Sequence, residues 1–353
     1  MAKHLVIMAG GIGSRFWPMS TPQCPKQFLD ITDCGRTMLQ QTLDRFDGLI
    51  DMNHVWVITS ADFHHLVEDQ LPGIHPQHIL LEPCMRNTAP CVAYVSWKIQ
   101  KEDPEALMVV TPSDHLVMNI PVFQEVIRKG LDFVSEENRI LTLGMKPTCP
   151  ETGYGYIEQG EQILQDEPSI YKIKTFREKP DLPTAIGYLK QGGFTWNAGI
   201  FLWSVNTIVA ELRQNASRIA GIMDQMADYF FTEYEQTVLN ELFPECERIS
   251  IDYAVMEKTQ LAYVLPVEFG WSDLGTWGSL RTITLSTSRM VENGNAVIGN
   301  QVTMIESSQN MVKVPNGKQV VIQGLHNCIV AEHNNTLLIC QLSEEQRIKD
   351  WHK

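Results

Sequence analysis

LVIMAGGIGSRF, residues 5–16, decides the fold, because a compact apolar run ends directly in a glycine-rich turn. Further apolar runs follow at residues 54–60, 78–83, 107–111 and 140–144. Stretches with helical periodicity lie between such runs, among them 37–49, 122–134 and one that begins near Pro90. This alternation predicts an α/β fold with a doubly wound, mostly parallel, Rossmann-like sheet. In such a sheet, ligands bind beyond the carboxyl ends of the strands.

The C-terminal part of the sequence has a different pattern of apolar and turn-forming residues. Short β-branched stretches at residues 296–298, 302–305, 319–322, 328–331 and 336–340 are separated by turns rich in Asn and Gly. Closely spaced short strands of this kind are typical of a small all-β domain or a short β-helix. We therefore predict a large α/β domain over residues 1–290 and a small β-helix-like domain over 291–353.

Composition restricts the possible partners. The net charge of −14 argues against binding to nucleic acid or to acidic membranes. No apolar stretch reaches the 18 residues of a membrane-spanning helix. The eight cysteines lack zinc-site spacing, which is typical of reduced thiols and predicts a cytoplasmic protein. An acidic protein that binds phosphates must do so through local cations, backbone N–H groups or a metal ion.

The glycine-rich turn has the composition of a phosphate-binding loop. Glycines let backbone N–H groups approach a phosphate closely, and a following helix N-terminus adds a favourable dipole. Arg15 is placed to clamp a polyphosphate, and Lys26 offers a second cation. The alternative is a turn that only packs tightly, with Arg15 in solvent. The predicted nucleotide-binding residues of this turn are Gly10, Gly11, Gly13, Ser14 and Arg15.

Taken together, the motifs resemble the signature of the sugar-1-phosphate nucleotidyltransferases. Residues 10–18 read GGIGSRFWP and residues 25–29 read PKQFL, which is similar to the mannose-1-phosphate guanylyltransferases (GDP-mannose pyrophosphorylases) of that family. Further segments keep the family's order at residues 82–90, 112–115, 153–157, 176–180, 196–201 and 271–277. Matches spread over so much of the chain are far more specific than any one motif.

The resemblance implies that Asp114 and Asp273 together hold Mg²⁺. Asp114 follows the apolar run 107–111, so it should emerge at the carboxyl end of a central strand. Mg²⁺ typically accepts one or two carboxylates together with phosphate oxygens of the substrate. For each aspartate the alternative is a helix-capping role, and the two roles are compatible.

The resemblance also implies how the substrates are recognised. Lys179 would grip the sugar phosphate, Glu178 and Asn197 would bind sugar hydroxyls, and Gly155 would allow a close backbone approach. An exposed charge pair is the alternative for Glu178 and Lys179.

On the nucleotide side, Glu82 would read guanine, because a carboxylate can accept both N1–H and N2–H₂ of that base. Asn87 would support the same edge of the base. The alternative is that Glu82 helps to cap the helix that follows, whose N-cap would be Asn87 or Thr88.

The reaction implied is attack by mannose 1-phosphate on the α-phosphorus of GTP, with release of pyrophosphate and formation of GDP-mannose. No general base is needed, because a phosphate monoester with a second pKa of about 6 is mostly dianionic at neutral pH. The predicted catalytic residues are Arg15, Lys26, Asp114, Lys179 and Asp273.

Two other functions stay open: guanylyl transfer to another hexose or heptose 1-phosphate, and a non-catalytic GDP-mannose-binding regulatory subunit. The residues beyond 290 are too few for the isomerase domain of some relatives, so isomerase activity is not expected. A homodimer is the expected assembly, with no nucleic-acid or membrane partner.

Overall fold

Two compact units make up the chain in the computed structural model, which describes residues 1–11, 13–164, 168–287 and 293–351. The first unit comprises Met1–Gly10, Leu43–Ser113 and Val117–Trp271. The second unit comprises Gly11–Thr42, Asp114–Leu116 and Ser272–Lys353. The predicted domain boundary between residues 290 and 291 lies outside the described residues. The division into 1–290 and 291–353 therefore stays a prediction.

The strands include five at the apolar runs of residues 5–9, 54–60, 78–83, 107–111 and 140–144. In chain order they are β1 (Lys3–Met8), β2 (Val55–Ser60), β3 (Ile79–Glu82), β4 (Leu107–Pro112), β5 (Leu116–Val117), β6 (Ile140–Met145), β7 (Tyr156–Leu164), β8 (Ile170–Arg177), β9 (Phe194–Ser204), β10 (Ala262–Val267), β11 (Trp271–Ser272), β12 (Ala296–Ile298), β13 (Val302–Ile305), β14 (Met311–Lys313), β15 (Val320–Gln323), β16 (Cys328–His333) and β17 (Thr336–Gln341).

The α-helices lie mostly between strands of the first unit. They are α1 (Met38–Asp44), α2 (His64–Gln70), α3 (Thr88–Glu102), α4 (Ile120–Glu136), α5 (Leu182–Gln191), α6 (Val205–Asn215), α7 (Ser217–Ala227), α8 (Glu235–Leu242), α9 (Trp277–Thr287) and α10 (Ile348–Trp351). Within the described ranges, none of these helices is both long and apolar enough to cross a membrane. All eight cysteines are free thiols.

The first unit is built on a nine-stranded sheet with the order β3-β2-β1-β4-β9-β6-β10-β8-β7. Strands β1 to β4 are parallel, and β6 is parallel to β10. Strand β9 runs antiparallel to both β4 and β6, and it also pairs with β7. The predicted α/β fold class is confirmed.

Helices cover both faces of this sheet. On one face, α3, α6 and α7 pack against one another and enclose a core that includes Trp56, Tyr94 and Trp203. On the other face, α4 packs so closely that a Cβ on Gly130 would meet Leu141 and Leu202. Because side chains alternate across a strand, Leu202 and Trp203 point to opposite faces. The sheet is therefore doubly wound, as predicted.

The second unit contains parallel β coils. Strands β12, β14 and β16 stack in parallel register, with Ala296 opposite Met311 and Met311 opposite Ile329. Strands β13 and β15 form a second parallel pair, and β17 turns back antiparallel on β16. The β-helix-like architecture is confirmed, and β14 is a strand that the sequence patterns did not predict.

The core of the second unit joins segments that are distant in sequence. Phe16 and Met19 pack with Trp277 and Leu280 of α9 and with Met311 and Ile329 of the β coils. The rings of Phe16 and Trp277 lie 5.1 Å apart. This packing anchors the residues next to the glycine-rich turn.

Candidate active site

In the second unit, the glycine-rich turn is shaped by its approach to Lys26. Gly13 has a φ of 55°, and a Cβ on it would lie 2.6 Å from Lys26 Cβ. Both the left-handed backbone and the lack of space require glycine here. Gln27 Nε2 donates to the Gly11 carbonyl at 2.7 Å, and Ser20 Oγ donates to the Gly13 carbonyl at the same distance. Gln27 is a contributor to the loop that the sequence patterns did not single out.

Arg15 lies in a short 3₁₀ turn, Ser14–Phe16, beside this loop. Its side chain is exposed, whereas its neighbour Phe16 is buried in the core. Within the described part of the second unit, the Arg15 guanidinium has no hydrogen-bond or ion-pair partner. The turn thus presents a cation to solvent on a rigidly packed base.

Lys26 joins the two aspartates that were predicted to hold a metal. Its ammonium group is almost completely buried and donates to Asp114 Oδ2 at 3.0 Å and to the Asp273 carbonyl at 2.6 Å. Burial raises the pKa of Asp114, but Lys26 and His115 outweigh it and hold that pKa below its ordinary value. Lys26, Asp114 and Asp273 therefore form one cluster, although Asp114 follows β4 and Asp273 follows β11.

Neither aspartate caps the helix that follows it. The helix after Asp114 is α4, whose N-cap is Asn119, so Asp114 does not cap it. At the start of α9, Thr276 Oγ1 accepts the Ser279 N–H at 3.1 Å. Asp273 Oδ1 instead accepts the Gly275 N–H at 3.0 Å, so it stabilises a local turn.

The donor set of this cluster fits a hard cation such as Mg²⁺. It offers carboxylate oxygens of Asp114 and Asp273 and the carbonyl oxygen of Asp273. One Asp114 carboxylate oxygen and the Asp273 carbonyl oxygen already accept hydrogen bonds from the Lys26 ammonium group. Mg²⁺ commonly takes one or two carboxylates and completes its shell with water and substrate phosphates. Among the described residues, no group of three or more His, Cys, Asp or Glu side chains is placed to hold a metal ion.

In the first unit, Glu82 is a buried carboxylate at the carboxyl end of β3. Its Oε1 is shielded from solvent and accepts no hydrogen bond from the described residues. Burial raises the pKa of Glu82 to about 8. A Cβ on Gly10, which follows β1, would lie 3.3 Å from Glu82 Oε2, so Gly10 leaves room beside this carboxylate. An orphaned acceptor of this kind is costly unless a ligand supplies the donor.

Asn87 is the N-cap of α3 and one of the two residues predicted for that position. Its Oδ1 accepts the Thr88 N–H at 2.8 Å, and its φ of 68° is in the left-handed region. Asn87 therefore caps the helix without help from Glu82. Among the described residues, no hydrogen bond supports the capping alternative for Glu82.

The predicted sugar-phosphate residues of the first unit lie close together. A Cβ on Gly155 would lie 2.6 Å from Glu178 Oε2 and 3.3 Å from Asn197 Cβ. Glu178 is buried and accepts a hydrogen bond from Lys179 Nζ, whose side chain is 58% exposed. Burial lowers the pKa of Lys179, but Glu178 and Asp252 outweigh it and raise that pKa above its ordinary value. Lys179 is thus a solvent-accessible cation that is held by the buried Glu178 carboxylate.

Asp252 belongs to the same group of residues and was missed from the sequence. It opens a π-helical turn, Asp252–Met256, and its Oδ1 accepts from Asn197 Nδ2 at 3.0 Å. Burial and the charge of Glu178 raise the pKa of Asp252 to about 7, although Lys179 opposes them. A π-turn often marks a functional position, but no motif in residues 250–253 pointed to it.

A family model described as nucleotidyl transferase matches residues 4–289. The chain belongs to the nucleotidyl transferase family.

Two named relatives show which members of this family the chain resembles. The alginate biosynthesis protein AlgA of Pseudomonas putida is 35% identical over 353 residues, which cover 99% of this chain and 70% of the relative. A mannose-1-phosphate guanylyltransferase of Klebsiella pneumoniae is 33% identical and is covered to 72%, with 98% of this chain aligned. The family resemblance drawn from the motifs is confirmed.

A solved structure extends the similarity to the whole fold. The protein from Thermus thermophilus solved under the name mannose-1-phosphate geranyltransferase aligns with a TM-score of 0.87 at 28% identity. The alignment covers 99% of this chain and 98% of that one. Its similarity thus includes the β coils as well as the large sheet.

Proposed function

We propose that this chain transfers GMP from GTP to α-D-mannose 1-phosphate, giving GDP-mannose and pyrophosphate. The observation that carries the proposal is the contact of Lys26 with both Asp114 and Asp273. This contact brings one cation and several carboxylate and carbonyl oxygens together. They belong to the residues to which the family resemblance assigns metal and phosphate binding. The names of the curated relatives support mannose 1-phosphate as the acceptor.

In the proposed reaction, the protein neutralises and aligns two polyanions rather than moving a proton. When bound to Asp114 and Asp273, Mg²⁺ would act as a Lewis acid on phosphate oxygens. Lys26 has three N–H donors, two of which are used in the described structure, so the third can bind a phosphate oxygen. Arg15 would hold the leaving pyrophosphate, and Lys179 would orient the attacking sugar phosphate in line.

A substrate panel tests this proposal directly. The protein would be incubated with Mg²⁺, each of several nucleoside triphosphates and each of several sugar 1-phosphates, and released pyrophosphate would be measured. We expect GTP with mannose 1-phosphate to give the highest kcat/KM. Preference for UTP or dTTP would overturn the guanine assignment, and preference for another hexose or heptose would overturn the product. Tight binding of GDP-mannose with no pyrophosphate from any pair would identify a regulatory subunit instead.

Glu82→Gln tests guanine recognition. Only the carboxylate can accept both N1–H and N2–H₂ of guanine, so we expect KM for GTP to rise about 10- to 100-fold, the effect of losing a bidentate base contact. KM for mannose 1-phosphate should stay within about twofold. The matched control is Glu105→Gln, which removes an exposed carboxylate from the same unit. An unchanged KM for GTP in Glu82→Gln would assign this carboxylate another role.

The pH dependence of GTP binding follows from the same residue. Because the Glu82 pKa is raised to about 8, the free protein carries mostly the protonated acid below that pH. GTP needs the carboxylate, so KM for GTP should fall about tenfold per pH unit from pH 6 towards 8 and level off above it. In Glu82→Gln the slope should vanish, and a slope retained there would have to come from another group.

Assembly as a homodimer and a cytoplasmic location remain predictions from the sequence. The nucleotide-binding roles of Gly10, Gly11, Gly13, Ser14 and Asn87 are part of the same proposal. So are the sugar-binding roles of Gly155, Glu178 and Asn197.

A further inference from the structure

The Asn197 side chain has a defined amide orientation. The Gly199 backbone N–H can only donate, and it lies 3.2 Å from Asn197 Oδ1. The Asp252 carboxylate accepts, and its Oδ1 lies 3.0 Å from Asn197 Nδ2. These two partners fix which end of the amide is oxygen and which is nitrogen. The single O–H of Thr142 also lies within hydrogen-bond distance of Asn197 Oδ1, at 2.9 Å, and of the Ile200 carbonyl, at 3.1 Å.

This orientation limits what Asn197 can offer to a ligand. Its oxygen already accepts the Gly199 N–H and lies beside the Thr142 hydroxyl, and one of its two Nδ2 hydrogens goes to Asp252. Among the described residues, the other Nδ2 hydrogen has no acceptor. Asn197 can therefore act towards a ligand as a single donor, whereas the nearby Glu178 carboxylate acts as an acceptor. One donor beside one acceptor is suited to two hydroxyl groups of a sugar ring.

We propose that Asp252 is a positioning residue for sugar recognition, which holds the Asn197 amide so that its remaining N–H serves a hydroxyl oxygen of the sugar phosphate. Without Asp252, the nitrogen end of the amide loses its fixed partner. This inference rests on the proposed function, since it assumes a sugar 1-phosphate beside Asn197 and Glu178. It adds Asp252 to that site and specifies that Asn197 donates to the sugar rather than accepts from it.

Two substitutions at residue 252 separate positioning from folding. Asp252→Ala removes the acceptor, and we expect KM for mannose 1-phosphate to rise about tenfold, the scale of one misplaced hydrogen bond. KM for GTP and kcat should change less than about threefold. Asp252→Asn keeps an acceptor oxygen and should restore KM to within about threefold of the unsubstituted protein. The matched control is Asp181→Asn, which removes a charge from the same unit while Asn still caps α5.

A double variant tests the polarity itself. In Asn197→Asp with Asp252→Asn, residue 252 would donate to residue 197, so the hydrogen bond between them is kept but the donor towards the sugar is lost. We expect KM for mannose 1-phosphate to stay at least about tenfold raised, with a melting temperature like that of the unsubstituted protein. Recovery of the normal KM in this variant would overturn the proposal, because pairing alone would then suffice.

The outcomes distinguish this inference from the proposed function. If the unsubstituted protein turns over a sugar 1-phosphate but Asp252→Ala has the same KM, only the inference fails. It also fails if Asp252→Ala raises KM for GTP and for mannose 1-phosphate equally. If the unsubstituted protein turns over no sugar 1-phosphate, the proposed function fails and the inference fails with it.

Discussion

Asp114→Asn is expected to lower kcat/KM by about 10³-fold while the protein stays folded. Asp114 is the carboxylate that Lys26 contacts, and it is a proposed ligand of Mg²⁺. Asparagine has nearly the same shape but no charge, so it binds Mg²⁺ poorly and leaves Lys26 without its anionic partner. A loss of three decades corresponds to about 4 kcal/mol of transition-state stabilisation.

The control for Asp114→Asn is Asp33→Asn in the same unit. Asp33 is exposed and accepts a hydrogen bond from Asn316, which asparagine can still accept. We expect kcat/KM of that variant within about twofold of normal. The Mg²⁺ concentration for half-maximal rate should rise only in Asp114→Asn. A loss below about tenfold in Asp114→Asn, with an unchanged Mg²⁺ requirement, would contradict a metal role for Asp114.

Much of the fold was predictable because buried parallel strands are continuous apolar runs. The bounds of β12 and β13 were predicted residue for residue, and Asn87 was predicted as a possible cap of α3. Strand direction is not encoded in such runs, so the antiparallel course of β9 was not foreseen. Strand β14 was missed because it ends in Lys313, a buried lysine that breaks the apolar pattern.

The candidate site was predictable in its residue types but not in its contacts. Lys26 meets Asp114 across 88 residues and Asp273 across 247, and the spacing in the sequence carries no information on such distances. Asp252 lies 55 residues from Asn197, and only the folded chain pairs them. In the sequence alone, an aspartate outside any family motif cannot be distinguished from a surface aspartate. Its hydrogen-bond partners in the fold are needed to infer a role.

Asp273→Asn separates the two roles of Asp273 and is expected to lower kcat/KM by about 10²- to 10³-fold. In the structure, Asp273 Oδ1 accepts the Gly275 N–H, and an asparagine oxygen accepts equally well in such a turn. The backbone carbonyl that receives Lys26 is unaffected by the substitution. The variant therefore keeps the turn and the Lys26 contact but removes the negative charge.

Asp273→Ala completes the comparison because it removes both the charge and the turn acceptor. If Asp273 acts through its charge on a metal ion, both variants should lose activity, and only Asp273→Ala should also melt at a lower temperature. If Asp273 serves the turn alone, Asp273→Asn should keep nearly normal kcat/KM while Asp273→Ala is impaired. Steady-state kinetics and thermal unfolding of the two proteins decide between these patterns, because a metal ligand requires the charge whereas the turn requires only an oxygen.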